Sequence, residues 1–182
     1  MEEMYMNSKI KRIIDFSTAF GPSGMEDEVS SLAMEDVKDI CEVHDDTMRN
    51  TYMHFKQDKE HETTILLDAH ADEVGFIVQA IKPNGTIRFL PLGGWDPKNI
   101  VSGEVWILND KGEKISGIVA SQPVHFLSEE KRNGKVDFDD LVIDVGATSV
   151  QEVKEEFHIS VGNFMCPAVT CKYDEAHKIF LG

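Results

Sequence analysis

The sequence predicts an α/β fold in which a βαβ-type core is interrupted by an all-β insertion. Two helix-type apolar patterns come first, a short apolar run then ends in a His and two acids, and closely spaced strand-type segments fill most of the remainder. Helices alternating with strands favour an α/β core, whereas short strands separated by turn residues are typical of a small barrel or sandwich. The predicted domains are residues 1–73 for the first part of the core, 74–166 for the β-rich insertion and 167–182 for a return strand into the core.

The N-terminal segment predicts two helices separated by a glycine–proline break. Apolar residues recur at helical spacing over residues 8–20, and Gly21-Pro22-Ser23-Gly24 ends this pattern. Ser23 and Glu26 have the spacing of a capping box, which predicts that a second helix begins here. The apolar stripe of this second helix continues to about Cys41.

The following strand-type segments lead to the most informative stretch of the chain. Short strands are predicted around Val43 and over residues 51–56. The run Thr63-Thr64-Ile65-Leu66-Leu67 predicts a buried strand because it lacks the alternation of a half-exposed one. It ends at Asp68-Ala69-His70-Ala71-Asp72-Glu73. Ligands bind at the carboxyl ends of strands in an open α/β sheet, so these polar residues mark a candidate site.

The segment after Gly75 predicts a β-rich module. Residues 76–81 and 86–92 flank Asn84-Gly85, which is a strong hairpin signal. Further elements follow at short intervals: strands over 101–108, 114–120 and 141–145, a short amphipathic helix over 149–157, and two strand candidates after Val161. Closely spaced short strands of this kind predict a small barrel or sandwich.

Composition and motif content exclude several classes of function. Lys and Arg total 18 against 33 Asp and Glu, which gives a formal net charge of -15. Such a surface repels nucleic-acid phosphates and anionic membranes, so we expect neither as a partner. No stretch has the pattern of a signal peptide or the length of a membrane span, and three cysteines cannot all pair within one chain; we therefore expect a cytoplasmic protein with reduced thiols. The sequence contains no phosphate loop, dinucleotide fingerprint or serine-nucleophile elbow.

The candidate site residues are His70, as a metal ligand, and Asp72, as a catalytic residue. A neutral imidazole at a strand end is a natural metal ligand, and an Asp two residues later can hold its other ring nitrogen. A hydrogen-bonded histidine at the end of a buried strand fits the same residues equally well. The His-x-Asp spacing occurs again at His44, but that histidine follows a helix end in a polar stretch and is expected on the surface.

Five segments stand in the order and at the distances typical of a known family. They are Phe20-Gly21-Pro22-Ser23-Gly24-Met25-Glu26, His70-Ala71-Asp72-Glu73-Val74-Gly75, Gly93-Gly94-Trp95, Pro123-Val124-His125-Phe126-Leu127 and Asp139-Asp140-Leu141-Val142-Ile143-Asp144-Val145-Gly146-Ala147. In these segments the chain resembles the glutamyl or deblocking aminopeptidase family. Members of that family form tetrahedral dodecamers, and some relatives are labelled cellulase M. The resemblance covers nearly the whole chain.

The resemblance implies a zinc-peptidase-like α/β core with a two-metal site that activates water to hydrolyse N-terminal residues from peptides. On this basis His70 is a ligand to one of two zinc or cobalt ions, and Asp72 supports the site. The β-rich insertion would provide the contacts of a homo-oligomer. The family's other metal ligands follow a motif that would come just after residue 182, so we expect this chain to hold one of them and to be inactive alone.

Two further functions are compatible with the sequence. One is a non-catalytic interaction or oligomerisation module that shares ancestry with the family but has no chemistry. The other is an endoglucanase-like glycoside hydrolase, which requires a pair of carboxylates across a cleft. The chain has many acids, but the sequence places no such pair, and this function ranks last.

Overall fold

The computed structural model describes residues 2–56, 63, 65–126, 128–129 and 134–182. The chain divides into two compact units. The N-terminal unit comprises Met1–Asp72 and Thr170–Gly182, and the barrel unit comprises Glu73–Val169. None of the described helices is both long enough and apolar enough to cross a membrane. The role of the first segment as part of a catalytic core and the role of the β-rich segment as a dimerisation insertion remain predictions.

Two helices open the N-terminal unit, as predicted. Helix α1 spans Glu2–Thr18 and so begins before the predicted start at residue 8. Helix α2 spans Asp27–Val37 and carries two acidic residues in its first turn, where they favour the positive end of the helix dipole. It ends before the predicted limit because residues 38–40 form a turn that leads directly into a strand.

The predicted capping box at the start of α2 is wrong. Glu26 is the N-cap residue, and no side chain caps the helix there. The Glu26 carboxylate instead accepts a hydrogen bond from the backbone N–H of Gly24, with an N–O distance of 2.6 Å. The hydroxyl of Ser23 donates a hydrogen bond to Asp72, 49 positions along the chain. Ser23 and Glu26 thus have capping-box spacing but do not form a capping box.

A hairpin follows the two helices. Strand β1 spans Cys41–Asp45, strand β2 spans Thr51–Phe55, and the two pair antiparallel. Both match the predicted strands. The turn between them places Arg49 at a φ of 66°, a left-handed conformation that side chains other than glycine adopt less often.

The prediction of a buried strand over residues 63–67 is wrong for residues 63 and 65–67, and Thr64 lies outside the described residues. Ile65, Leu66 and Leu67 lie outside any helix or strand, with exposed fractions of 83%, 83% and 90%. A fully buried strand needs hydrogen-bonding neighbours and cover on both faces. Among the described residues, no strand pairs with this run, and few side chains pack over it.

The barrel unit is a closed barrel of six strands, which confirms the predicted barrel-like insertion. The strands are β3 (Gly75–Ile81), β4 (Ile87–Leu92), β5 (Glu104–Leu108), β6 (Lys114–Ser121), β7 (Leu141–Asp144) and β8 (Phe164–Pro167). Their order around the barrel is β3-β4-β7-β6-β5-β8, and neighbouring strands pair antiparallel. Strand β8 closes the barrel by pairing with both β3 and β5. Closure removes the exposed sheet edges that an open sheet of this size would have.

The barrel interior holds the main hydrophobic core. Ile87, Ile107, Ile143 and Met165 come from four different strands, and each is fully buried. A short helix, α3 (Val150–Glu155), adds the buried side chain of Val153 to the same core. Buried residues alternate with more exposed ones along β5, β6 and β7, as is typical of strands whose alternate side chains face a barrel interior.

The Gly93-Gly94-Trp95 segment has a structural role in the barrel unit. The Trp95 indole stacks on the Phe76 ring with centroids 4.8 Å apart, and its Nε1–H donates to the carbonyl of Gly75 at 3.0 Å. Gly93 has a φ of 86°, and a side chain there would meet the Val74 side chain. This loop thus packs an aromatic ring against β3.

The end of the chain forms a second hairpin, in the N-terminal unit. Strands β9 (Lys172–Asp174) and β10 (Ile179–Leu181) pair antiparallel. Within the described residues, both sheets of this unit are antiparallel hairpins. The return strand into a βαβ core over residues 167–182 stays a prediction.

Replacing Gly85 by Ala should destabilise the barrel far more than replacing Gly112 by Ala. Both glycines lie in hairpin turns at positive φ, but a Cβ on Gly85 would lie 2.4 Å from the carbonyl oxygen of Ala147, whereas one on Gly112 meets nothing within 4 Å. Gly112→Ala should cost only the backbone strain of about 1–2 kcal/mol. Gly85→Ala should cost at least about 2 kcal/mol more, since backbone must move.

Urea unfolding followed by tryptophan fluorescence measures both variants, because Trp95 and Trp106 are the chain's two tryptophans and lie in the barrel unit. Equal losses of stability in the two variants would contradict the close approach at Gly85.

Candidate functional site

The His-Ala-Asp segment places an imidazole against a carboxylate. Nδ1 of His70 lies 3.0 Å from Oδ1 of Asp72 and 2.9 Å from the Asp72 backbone carbonyl oxygen. Both oxygens are acceptors, so the neutral ring carries its hydrogen on Nδ1 and donates it. The lone pair of the other ring nitrogen, Nε2, is then available to a ligand.

The His70 side chain faces solvent. It is 85% exposed, whereas Asp72 is 40% exposed. A histidine that serves only to fill the core would be covered by aliphatic neighbours, and His70 is not. His70 is therefore not a buried core histidine, and its role as a metal ligand stays a prediction.

Ser23 completes this group from the loop between α1 and α2. Its hydroxyl donates a hydrogen bond to Oδ2 of Asp72, while Oδ1 of the same carboxylate faces His70. The Ser23 hydroxyl holds the pKa of Asp72 below its usual value, and His70 lowers it further. Asp72 is therefore ionised over the neutral pH range and accepts from both sides. Sequence reasoning missed this role of Ser23, because no spacing signal connects residues 49 positions apart.

The loop that carries Ser23 is firmly packed. Phe20, Gly21 and Pro22 are all buried. A Cβ on Gly21 would lie 2.6 Å from Cγ2 of Val29 and 3.6 Å from the carbonyl oxygen of Ala71. Only a residue without a side chain allows the loop to approach α2 this closely, whereas the distance to Ala71 is an ordinary van der Waals contact.

The second His-x-Asp sequence has a different arrangement. The His44 ring stacks on Tyr52, with centroids 4.9 Å apart, and on His54 at 5.7 Å. The Asp46 carboxylate accepts hydrogen bonds from Asn50 and Tyr52, and the bond from the Asn50 side chain is the main cause of its lowered pKa. The same His-x-Asp spacing therefore gives an imidazole that is hydrogen-bonded to a carboxylate at His70 and an imidazole stacked on aromatic rings at the surface at His44. The surface position of His44 was predicted from its sequence context.

The described residues do not form a complete metal centre. Within them, no group of three or more His, Cys, Asp or Glu side chains is placed to hold a metal ion. One exposed imidazole nitrogen fits a divalent metal as a single ligand, and Asp72 fits as its hydrogen-bonding support. His125 lies exposed in a short 3-10 turn, and the three cysteines are buried and are not joined in disulfides.

A model of the M42 glutamyl aminopeptidase family matches residues 50–180. The chain belongs to this family. It is 33% identical over 149 residues to the lysyl aminopeptidase of Pyrococcus furiosus, which covers 80% of this chain and 41% of that protein. It is 36% identical over 110 residues to the glutamyl aminopeptidase of Lactococcus lactis, which covers 59% of this chain and 30% of that protein. The chain thus spans less than half the length of these M42 relatives.

Solved M42-like structures share the fold. The TET aminopeptidase of Thaumarchaeota archaeon SCGC AB-539-E09 matches with a TM-score of 0.86 and 32% identity, over 94% of this chain and 48% of that one. The Pyrococcus horikoshii TET1 peptidase, which can assemble into a tetrahedron or a large octahedral shell, matches with a TM-score of 0.76 and 27% identity, over 91% and 47%. A Thermotoga maritima protein named an endoglucanase matches with a TM-score of 0.71 and 26% identity, over 89% and 45%.

Replacing Gly21 by Ala should destabilise the N-terminal unit, and replacing Val29 by Ala should relieve part of that loss. The new Cβ would overlap Cγ2 of Val29, and overpacking of this kind costs about 1–3 kcal/mol. Because Val29→Ala removes the overlapping methyl group, the double variant should be more stable than the sum of the two single effects predicts, by at least about 1 kcal/mol. Urea unfolding followed by far-UV circular dichroism, which reports α1 and α2, measures the cycle. Strict additivity would contradict the contact.

Proposed function

We propose that this chain is part of a metal-dependent aminopeptidase that removes N-terminal residues from peptides. The observation that carries the proposal is the M42 family match over residues 50–180, which contains His70 and Asp72. The geometry supports it, since His70 exposes Nε2 while Asp72 holds Nδ1. In this proposal His70 is a metal ligand and Asp72 a supporting residue of the catalytic site.

The proposed cofactor is a pair of divalent zinc or cobalt ions. When bound, such ions polarise a peptide carbonyl and lower the pKa of water so that hydroxide is available near neutral pH. In this proposal the Asp72 carboxylate fixes the orientation and tautomer of the His70 ring, and the ring offers the lone pair of Nε2 to a metal ion. The remaining ligands would come from outside the described residues, so we expect the 182-residue chain to be inactive by itself.

The acidic composition supports a peptide substrate over a polyanion. A formal charge of -15 repels nucleic acids and attracts the protonated amino terminus of a peptide. A cytoplasmic location and the absence of nucleic-acid and membrane partners are part of the same proposal.

Homo-oligomer formation through the barrel unit is also part of the proposal. The TET1 relative assembles into closed shells, and this barrel exposes large apolar side chains. They are Leu90, Ile118, Phe126, Val161 and Val169. Exposed apolar area on an otherwise acidic protein favours association with a second copy.

A glycoside hydrolase is the second candidate, because one structural relative is named an endoglucanase. That reaction needs two carboxylic acids on either side of a glycosidic bond. The Asp72 carboxylate instead accepts hydrogen bonds from Ser23 and His70. It therefore orients an imidazole and is not paired with a second carboxylic acid. The aminopeptidase is therefore the better supported function.

A chimera tests the proposed function. It joins residues 1–182 to the part of the Pyrococcus furiosus lysyl aminopeptidase that the chain does not match. With Co²⁺ or Zn²⁺ it should hydrolyse amino-acid p-nitroanilides. His70→Ala should lower kcat/KM at least about 100-fold, and Asp72→Ala about 10–100-fold, the range typical of residues that orient a ligand. His44→Ala is the matched control and should leave the rate unchanged, because His44 lies in a surface stack.

Three results would contradict the proposal. They are full activity of the folded His70→Ala chimera, equal loss in His44→Ala, and turnover of carboxymethylcellulose in place of the anilides. The last would favour the glycoside hydrolase. Circular dichroism of each variant shows that a lost rate is not lost folding.

Sedimentation velocity tests the proposed association. At tens of micromolar the chain should form dimers or larger species, and Phe126→Glu should weaken association about 10-fold or more, since Phe126 is 74% exposed and would be buried in the interface. Gln79→Glu adds the same charge at an exposed position of β3 and should have little effect. A monomer at all concentrations, or equal effects of the two variants, would contradict an interface at Phe126.

A further inference from the structure

We propose that Ser23 is a positioning residue that acts through Asp72 to fix the ring orientation and tautomer of His70. The inference deepens the proposed function and rests on it where metal binding is concerned. It adds to the His-x-Asp pair a third residue, which the glycine–proline loop between α1 and α2 supplies. No feature of the His-Ala-Asp segment itself indicates that this partner exists.

The first step of the argument is the division of the Asp72 carboxylate between two partners. Oδ2 accepts from the Ser23 hydroxyl, and Oδ1 lies 3.0 Å from Nδ1 of His70. A carboxylate held at one oxygen cannot rotate freely about its terminal torsion, which is otherwise broad. The bond from Ser23 therefore keeps the second oxygen aimed at the imidazole.

The second step is the setting of the two partners. The His-Ala-Asp segment lies outside any helix or strand, and His70 is 85% exposed, so regular structure and packing restrain the ring little. Ser23, in contrast, follows the buried residues Gly21 and Pro22 in a loop fitted against Val29 of α2. The packed loop therefore fixes Ser23, Ser23 restrains the Asp72 carboxylate, and the carboxylate restrains the exposed His70 ring.

The third step is the chemistry that follows. With Asp72 accepting at Nδ1, the neutral ring has its hydrogen there and its lone pair on Nε2. Removing the Ser23 hydroxyl frees the carboxylate to turn, which leaves the Asp72 backbone carbonyl, 2.9 Å from Nδ1, as the fixed acceptor there. The population of the other tautomer, in which Nε2 carries a hydrogen and cannot bind a metal, should then rise. Residues that orient ligands in this way commonly change metal affinity 10–100-fold, and we expect about 3–10-fold for Ser23, which is one residue further from the ligand.

Nuclear magnetic resonance of the full chain tests the inference without metal. Long-range ¹H–¹⁵N spectra at pH 8 report which ring nitrogen of His70 carries the hydrogen. The wild-type chain should show the Nδ1–H form, Ser23→Ala should shift the population toward the Nε2–H form, and Ser23→Thr should restore the wild-type spectrum because it keeps the hydroxyl. Ser17→Ala, at an exposed position of α1, is the matched control and should resemble the wild type.

A Co²⁺ titration separates this inference from the proposed function. Paramagnetic Co²⁺ should broaden the His70 ring signals, and Ser23→Ala should require about 3–10-fold more metal than the wild type or Ser23→Thr. If the tautomer depends on Ser23 but Co²⁺ leaves His70 unaffected, the metal role fails and the positioning role stands. A Ser23→Ala chain with the wild-type tautomer, or a wild-type chain in the Nε2–H form, would overturn the positioning role.

Discussion

The candidate site depends on the contact between the loop after α1 and the His-Ala-Asp segment. The Ser23 hydroxyl donates a hydrogen bond to Asp72, and Gly21 in the same loop lies near the Ala71 carbonyl. Neither partner belongs to a helix or strand, so the geometry of His70 is set by this loop-to-loop contact and not by the regular structure around it. The candidate site is thus built from irregular segments that packed neighbours hold in place.

The hydrophobic core and the candidate site lie in different units. The barrel buries its own core and closes its own sheet edges, so it has the features of a unit that folds without help. The N-terminal unit holds the imidazole and its supports, and the sheets that its described residues form are two small hairpins. A two-stranded hairpin is marginally stable alone, and its stability in this unit therefore depends on packing against the two helices.

Much of the fold follows from local patterns. The barrel was predictable because turn residues such as Asn84-Gly85 and short alternating strands are local signals that the structure obeys. The pairing of His70 with Asp72 is local too, at two residues' separation. The bond from Ser23 was not predictable, since its partner lies 49 positions away and the capping-box spacing indicated a different use. The predicted strand over residues 63–67 failed because an apolar run shows what should be buried but not what will bury it.

The exposed run Ile65-Leu66-Leu67 has a consequence for the stability of the chain. These three aliphatic side chains lie outside any helix or strand and remain largely in contact with water. Contact between apolar surface and water is unfavourable, so any surface that covers the run lowers the free energy of the folded chain. Binding at this run and folding of the chain are thus thermodynamically linked, and a molecule that covers the run would raise the free energy of unfolding.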